Sequence, residues 1–325
     1  MKKVSVIVPV YNGSRHIENS FRFLSEQRYE NFEVIYVVDI ETKDDTFEKI
    51  EKHIPLLKDA KVLIQEDDDM LGGARNLGIK HATGEIIWFF DVDDKPLPDL
   101  LSDLMRIMEE NGADIVSCNF IRSSSLDPGT IPEREYKLRA MDRDSALRAR
   151  LKEEIPVTAW SKIMTKKLID DNDLRFIRGY AEDIEFTYHS ISCADKIYYY
   201  EKPLYIYFQN PGSLCNGGMG DNARGEAEIG AYDRLEEFFK DDPNFGATFK
   251  IGSTKMRMRS AAHMEKERFK EYSKSKECRD MIKRNLSPAS PEVLMFKIFP
   301  GLYYFAVRTF LNRIHYKDGR CFTRI

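Results

Sequence analysis

The chain has 325 residues, a length that suits one large domain with an appendage, and its formal net charge at pH 7 is −4. Hydrophobic residues make up 42% and charged residues 32% of the sequence, which excludes an intrinsically disordered chain. The small net charge gives no indication of a nucleic-acid partner, and no apolar run approaches the roughly 20 residues of a membrane-spanning helix.

The first 120 residues alternate predicted strands with predicted helices. The first strand, residues 4–10, is apolar on both faces, as expected of a parallel strand that is covered on both sides. This alternation predicts βαβ units and an open, mainly parallel sheet flanked by helices. The further predicted strands are residues 32–38, 61–65, 85–91 and 113–120, and predicted helices cover 14–27, 47–54, 72–82 and the segment after Pro98.

Polar residues follow three of these strands at the point where each strand ends. They are Tyr11 with Asn12, Asp39, and the acidic run at 91–94. Because ligands bind beyond the carboxyl ends of strands in such sheets, we expect these side chains to share one rim. The carboxylates of Asp91 and Asp93 point the same way from an extended segment and suit Mg²⁺ or Mn²⁺. Taken alone, the same pattern is also typical of a turn with helix-capping acids.

The second half of the chain changes in character after a turn-rich segment at 210–225. Residues 122–139 read as a loop, 181–194 as a helix and 196–208 as a strand, whereas 226–285 is helical in pattern throughout. We therefore expect two domains, an α/β domain at 1–217 and a helical C-terminal region at 218–325 that faces the acceptor or a membrane.

The last segment, 292–325, carries six Lys or Arg residues against two acids, a local balance of +4. Aromatic residues lie between these bases, and Pro300-Gly301 breaks any helix in the middle. This composition is typical of a segment that lies in a membrane interface, and equally of a terminal helix that packs on the core.

Seven stretches, taken together in their order and spacing, resemble glycosyltransferase family 2 between about Val4 and Asn216. The resemblance implies the Rossmann-like GT-A fold and an inverting transferase that uses a nucleotide-sugar, of the type that builds bacterial surface polysaccharides. The stretches are "VIVPVYNG", "VIYVVDIETKDDT", "GGARNLGIKHATGE", "IIWFFDVDD", "WSKIMTKKLI", "GYAEDIEF" and "KPLYIYFQNPGSL".

The resemblance also implies residue roles. Asp93 would hold a Mn²⁺ or Mg²⁺ ion that bridges the two phosphates, and Asp183 would be the general base. Trp160 and Glu182 would line the donor-sugar or acceptor pocket. The nucleotide-sugar would meet Pro9, Tyr11 against the base, Asp39 at the N–H of the base, Arg75 near the diphosphate, Asp91 at the ribose, and Val92.

Each role has a purely structural alternative, and the chain departs from the family pattern in places. Tyr11 or Asp39 would then cap a strand or turn, Arg75 would pair with an acid among residues 67–69, and Glu182-Asp183 would be an acidic first helical turn. After Asp39 the family commonly has Asp-Gly-Ser, whereas this chain has Ile-Glu-Thr, and Ser161 stands where the family often has Asn. These departures leave the preference for one base open.

The sequence therefore predicts a metal-dependent inverting glycosyltransferase that moves a sugar, with UDP-sugars preferred, to a glycan or lipid-linked acceptor. Two alternatives stay open: a domain that binds a nucleotide-sugar without catalysis, and a sugar nucleotidyltransferase. Scattered, odd-numbered cysteines indicate reduced thiols and a cytoplasmic protein, with peripheral membrane contact through 292–325.

Overall fold

The computed structural model describes residues 1–67, 69–129, 131, 134–209, 221–285 and 291–311. The chain divides into two compact units. The first comprises Met1–Ala146 with Ile155–Gln209, and the second comprises Leu147–Glu154 with Asn210–Ile325. The predicted domain boundary at 217/218 lies outside the described residues.

The described part of the first unit holds one sheet of nine strands. Its first four strands are parallel neighbours in the order β3-β2-β1-β4, which confirms the predicted parallel core. Every residue of β1 is buried, because helices cover both faces of a parallel sheet. The strands are β1 Val4–Val10, β2 Phe32–Asp39, β3 Ala60–Gln65, β4 Ile86–Phe89, β5 Lys95–Pro96, β6 Ile115–Ser123, β7 Leu138–Met141, β8 Lys162–Thr165 and β9 Ile197–Phe208.

The other half of the sheet is mixed. Strand β8 lies antiparallel between β4 and β6, β6 runs parallel to β9, and the short strands β5 and β7 each pair antiparallel with β9. Neither β5 nor β7 was expected from the sequence, because two to four residues give no usable periodicity. The segment predicted as a loop at 122–139 runs between β6 and β7.

Helices of the first unit connect and cover these strands. Helix α3 lies close against β1, since a Cβ added at Gly78 would meet the Ile7 side chain at 2.4 Å. Gly78 therefore allows α3 to pack closer to β1 than a residue with a side chain would. The helices are α1 Ser14–Ser25, α2 Thr46–His53, α3 Met70–His81, α4 Leu100–Asn111, α5 Arg143–Leu151, which continues into the second unit, α6 Lys166–Asp171 and α7 Glu182–Cys193.

All regular elements that the structure describes in the second unit are helices, as predicted for 226–285. Its apolar core includes Met258, Phe269, Phe296 and Tyr303. A new helix begins at Pro300, which confirms the predicted break. Its further helices are α8 Asp221–Phe239, α9 Gly246–His263, α10 Lys266–Lys274, α11 Lys276–Asn285, α12 Pro291–Ile298 and α13 Pro300–Ala306.

The pair α12 and α13 has one buried and one exposed apolar face. Val293 and Val307 pack into the core with the aromatic residues named above, as the core-packing interpretation expects. Five other large apolar side chains are each more than half exposed: Leu294, Ile298, Phe299, Leu302 and Phe305. Among the described residues, no helix combines the length and the apolar character needed to cross a membrane.

Candidate active site

A buried guanidinium lies at the centre of the candidate site. The Arg75 side chain is 1% exposed, and its Nη1 donates to Glu182 Oε1 at 2.7 Å and to Asp183 Oδ1 at 2.6 Å. Its Nη2 donates to Asp91 Oδ1 at 3.1 Å. One side chain from α3 therefore joins the carboxylates at the start of α7 to the carboxylate that follows β4.

Local structure fixes the position of Arg75. The side chain of Asn76 exchanges two hydrogen bonds with the backbone of Phe176, both at 2.9 Å. The Phe176 ring lies under the Arg75 guanidinium at 5.1 Å and stacks on Phe186 of α7. Gly72 permits this close approach, because a Cβ there would meet the Ile177 carbonyl oxygen at 2.4 Å.

The two acids of α7 are presented by a tight turn. Gly179 has a φ of 105°, which favours glycine, and Ala181 adopts a left-handed φ of 62° directly before the helix. Asp183 then has both carboxylate oxygens engaged, since Oδ1 meets Arg75 and Oδ2 accepts the Ala159 N–H at 3.0 Å. The acids form the first turn of α7, as the structural alternative proposed, and they also converge on Arg75.

The cluster contains one cation and three carboxyl groups, so its charges do not balance. Burial, reinforced by Asp183, raises the pKa of Glu182 to about 7 against the opposing effect of Arg75. Burial also raises the pKa of Asp91 to about 6; Arg75 opposes this, and Asp183 and Asp93 add to it. Near neutral pH, protons bound to Glu182 and Asp91 therefore neutralise part of the excess negative charge of the site.

The run 91–94 places its three aspartates in different surroundings. Asp94 is 1% exposed, and its Oδ1 accepts the Phe208 N–H at 2.8 Å, which ties the run to β9. Burial and the neighbouring carboxylates raise its pKa well above the usual range. The Asp93 carboxylate makes no hydrogen bond or ion pair with the residues that the structure describes. Its charge acts on the partly buried imidazole of His16, at the start of α1.

The residues predicted on the nucleotide side lie at the ends of β1 and β2. Pro9 is buried within β1, and Tyr11 beyond it is 59% exposed. Asp39 ends β2, and its Oδ1 accepts the Glu41 N–H at 2.8 Å, as a turn-capping residue would. Val92 lies beside the loop that follows β1, because a Cβ at Gly13 would be 3.5 Å from its Cγ1. Their contacts with a nucleotide remain predictions.

Two expectations change in detail. The alternative pairing of Arg75 with Asp67 or Asp69 is wrong, because the guanidinium is buried among Asp91, Glu182 and Asp183; Asp68 lies outside the described residues. Trp160 is 3% exposed. It stacks on Tyr205 at 4.3 Å, so it lies beneath the rim, and its contact with a sugar stays a prediction.

Sequence reasoning missed three supporting residues. The Tyr205 hydroxyl accepts the Asp91 N–H at 3.3 Å. Burial raises the pKa of Tyr205 well above its usual value, and the charge of the Asp94 carboxylate raises it further. The charge of Asp93 acts on His16, and Lys162 supports the segment that contacts Asp183. Tyr205 and Lys162 lie inside the motifs "KPLYIYF" and "WSKIMTKKLI", so the signal was present without a role attached.

The carboxylates suit a divalent cation. Asp93 offers hard oxygen ligands, and Asp91 beside it already retains a proton to about pH 6, so a cation would relieve repulsion at the rim. Within the described ranges no group of three or more His, Cys, Asp or Glu side chains has metal-site geometry. A cation held here would therefore take most of its ligands from phosphate oxygens and water, as Mg²⁺ commonly does.

Comparison of sequences relates the chain to known transferases. The family model "Glycosyl transferase family 2" matches residues 5–172, just over half of the chain. "Uncharacterized glycosyltransferase EpsJ" of Bacillus subtilis is 31% identical over 65% of this chain and 62% of its own length. "Poly(ribitol-phosphate) beta-N-acetylglucosaminyltransferase TarS" of Staphylococcus aureus is 28% identical over 74% of this chain. The chain spans 39% of the length of TarS.

Solved structures share the fold. The crystal structure of TarS residues 1–349 with UDP-GlcNAc aligns over 95% of this chain and 87% of its own, with a TM-score of 0.67 and 21% identity. The mannosyltransferase PcManGT of Pyrobaculum calidifontis, in complex with GDP-Man and Mn²⁺, aligns over 98% of this chain and 88% of its own. Its TM-score is 0.58 at 15% identity. These likenesses confirm the predicted GT-A architecture.

The charge imbalance predicts that Glu182→Gln stabilises the protein at alkaline pH. A carboxyl whose pKa is raised in the folded state stabilises it below the unfolded value near 4.5, and this contribution is lost as pH rises through about 7. The neutral amide still accepts from Arg75, so the free energy of unfolding at pH 8 should rise by about 1–3 kcal/mol.

Urea unfolding of both proteins at several pH values measures this difference. The two curves should converge near pH 4.5 and separate towards pH 8. Glu185→Gln is the control, since Glu185 is buried on the same helix outside the ion pairs of Arg75. A Glu182→Gln protein that is less stable than wild type at pH 8 would show that the ionised glutamate is a net stabilising partner of Arg75.

Proposed function

The chain belongs to glycosyltransferase family 2, and we propose that it transfers a sugar from a nucleoside-diphosphate sugar to an acceptor hydroxyl with inversion at C1. A UDP-sugar is the preferred donor, and the acceptor is a glycan or lipid-linked glycan of cell-surface polysaccharide synthesis. The observation that carries the proposal is the shared guanidinium of Arg75, whose Nη1 meets Asp183 at 2.6 Å and whose Nη2 meets Asp91, two residues before Asp93, at 3.1 Å. The two acids that the reaction needs therefore belong to segments that converge on one cation.

Asp183 would act as the general base. A single displacement at C1 requires a carboxylate that accepts the proton of the attacking hydroxyl on the face opposite the leaving diphosphate. Arg75 and the Ala159 N–H orient its two oxygens, so the side chain is held in one rotamer before substrate arrives. Arg75 would act as the positioning residue for Asp183. Because the Arg75 guanidinium is buried, its predicted contact with the diphosphate would be secondary to this role.

The nucleotide would occupy the rim formed by the ends of β1, β2 and β4. The exposed Tyr11 ring offers a face on which a base can stack, and the Asp39 carboxylate offers an acceptor for the N–H of the base. Pro9 and Val92 would shape this pocket, and Asp91 would meet the ribose. Glu182 and Trp160 would shape the sugar and acceptor side through Asp183 and Tyr205.

Asp93 would hold the Mn²⁺ or Mg²⁺ ion. When bound, such an ion neutralises the charge that develops on the departing diphosphate. The rest of the rim requires this help, because Asp91 and Asp93 repel an anionic donor and both Nη atoms of Arg75 are already paired with carboxylates. The proposed reaction also differs from glycoside hydrolysis, in which a second carboxyl group protonates the leaving oxygen.

We predict that Asp93→Ala and Asp183→Asn lower transfer for different reasons. Release of the nucleoside diphosphate is measured with a panel of nucleotide-sugars, Mn²⁺ and acceptor glycans. Asp183→Asn should lower kcat by at least about 100-fold with little change in donor affinity, because it removes only the base. Asp93→Ala should weaken Mn²⁺-dependent donor binding, which calorimetry measures separately.

The outcomes separate the alternatives. If wild type binds a donor and releases no diphosphate with any acceptor, the chain is a binding domain and not a transferase. If it forms a nucleotide-sugar from a sugar phosphate and a nucleoside triphosphate, it is a nucleotidyltransferase. Asp44→Asn is a matched control, since this aspartate caps the β2–α2 loop and lies outside the acidic cluster.

We also propose that α12 and α13 hold the protein on the cytoplasmic face of a membrane that contains anionic lipids. Of the thirteen large apolar side chains that are exposed among the described residues, five fall between 294 and 305. Lys297 and Arg308 flank this face, and the sequence that follows adds four more bases. An apolar helical face beside basic residues is the combination that binds an anionic interface.

Vesicle co-sedimentation tests this contact. The wild type should bind phosphatidylglycerol vesicles more strongly than phosphatidylcholine vesicles, and Leu302→Ser with Phe305→Ser should weaken binding by roughly tenfold or more. Phe238→Ser, at an equally exposed site on α8, should have no effect. Absence of wild-type binding would overturn the proposal, and a concentration-dependent dimer lost in the double variant would assign the face to a second copy.

A further inference from the structure

The lysine of the "WSK" motif has no role in the reaction proposed above. Lys162 begins β8, in the middle of the sheet, and is 3% exposed. Its Nζ donates to the carbonyl oxygens of Val157, at 3.3 Å, and of Thr158, and lies 3.3 Å from Thr187 Oγ1. An ammonium group carries three N–H donors, so it can make all of these contacts at once.

The peptide group between Thr158 and Ala159 lies between opposite charges. Its carbonyl oxygen accepts from the Lys162 ammonium group, and its N–H donates to Asp183 Oδ2 at 3.0 Å. A cation at the oxygen and an anion at the N–H both favour the same orientation of the peptide dipole. Such chains of hydrogen bonds reinforce one another in a low-dielectric interior.

The same short segment is fixed from α7. Thr187 is buried four residues after Asp183, so the two side chains lie on one face of the helix. Its hydroxyl donates to the Val157 carbonyl oxygen. Ser161 Oγ in turn donates to the Thr158 carbonyl oxygen at 2.9 Å. The segment 157–159 thus joins Lys162 to the acidic cluster without contributing a side chain to it.

We propose that Lys162 is a positioning residue for sugar transfer: by holding the Thr158 carbonyl oxygen, its ammonium group keeps the Ala159 N–H directed at Asp183. The proposal rests on the proposed role of Asp183 as general base. Without the ammonium group, this peptide can rotate and turn its carbonyl oxygen towards the carboxylate. The carboxylate would then lose a donor, gain a repulsive dipole and retain its proton to higher pH.

The pH profile of transfer tests this role. Lys162→Met and Lys162→Gln both remove the charge, and the glutamine variant keeps N–H donors for the carbonyl oxygens, so that at least one folded neutral variant is expected. In these variants, the pH at which kcat/KM falls to half on the acid side should rise by about one unit. At acid pH their kcat/KM should therefore be about tenfold below that of the wild type, and the difference should largely disappear above pH 8. Lys162→Arg should restore the wild-type profile.

Two controls and one parallel variant make the result specific. Thr187→Val loosens the same segment but leaves the hydrogen bonds that link Lys162 to Asp183 through the peptide group between Thr158 and Ala159. The acid side of its pH profile should therefore match that of the wild type. Lys202→Met removes a half-buried ammonium group paired with Asp103 at 2.7 Å and should also leave the acid side of the profile unchanged. A uniform loss of activity at every pH in a folded neutral Lys162 variant would overturn the proposal. If Asp183→Asn keeps full activity, the proposed base is wrong, a failure distinct from that of Lys162.

Discussion

The ion pairs of Arg75 are the interaction on which the rest of the site depends. They join α3 to the segment that follows β4 and to the start of α7, which lies more than 100 residues away in the sequence. Removing one partner of a buried ion pair leaves uncompensated charge, which costs more than the pair itself contributes. Arg75 therefore holds one carboxylate oxygen of Asp91 and one of Asp183 on the same guanidinium group.

The same interaction explains the electrostatics of the rim. Burial, together with the excess of carboxylates over the single guanidinium, raises the pKa of Glu182 and of Asp91, so both hold protons at higher pH than free carboxylic acids do. An anionic donor that enters such a rim meets repulsion unless positive charge comes with it. The proposed divalent ion would offset this charge imbalance, and Asp93, whose carboxylate has no hydrogen bond or ion pair among the described residues, is the residue that we propose would hold it.

Much of the fold could be predicted from the sequence, because apolar periodicity reports burial directly. The parallel strands β1–β4 and the helical second unit follow from such patterns. The short strands β5 and β7 depend on pairing with β9, a long-range contact that no local pattern records. Likewise, the motif resemblance identified Asp93 and Asp183 as candidates, but it gave no role to Asp94, which is a buried link to β9.

The supporting residues were out of reach for a physical reason. A lysine or tyrosine in a sequence carries no mark of what its polar atom meets, and Lys162 and Tyr205 act through backbone groups. The sequence also did not indicate where the Arg75 side chain points, because its partners are 16 to 108 residues away. Sequence reasoning therefore found the acids that face a substrate more easily than the groups that hold them.

Unfolding of Arg75→Met across pH tests the central claim most directly. The account predicts that the variant loses about 3–5 kcal/mol of unfolding free energy at pH 8, where one buried and two partly buried carboxyl groups lack their cation. The loss should shrink as pH falls towards 4, because protonation removes their mutual repulsion. A small loss that is the same at every pH would show that Arg75 does not hold these carboxylates together.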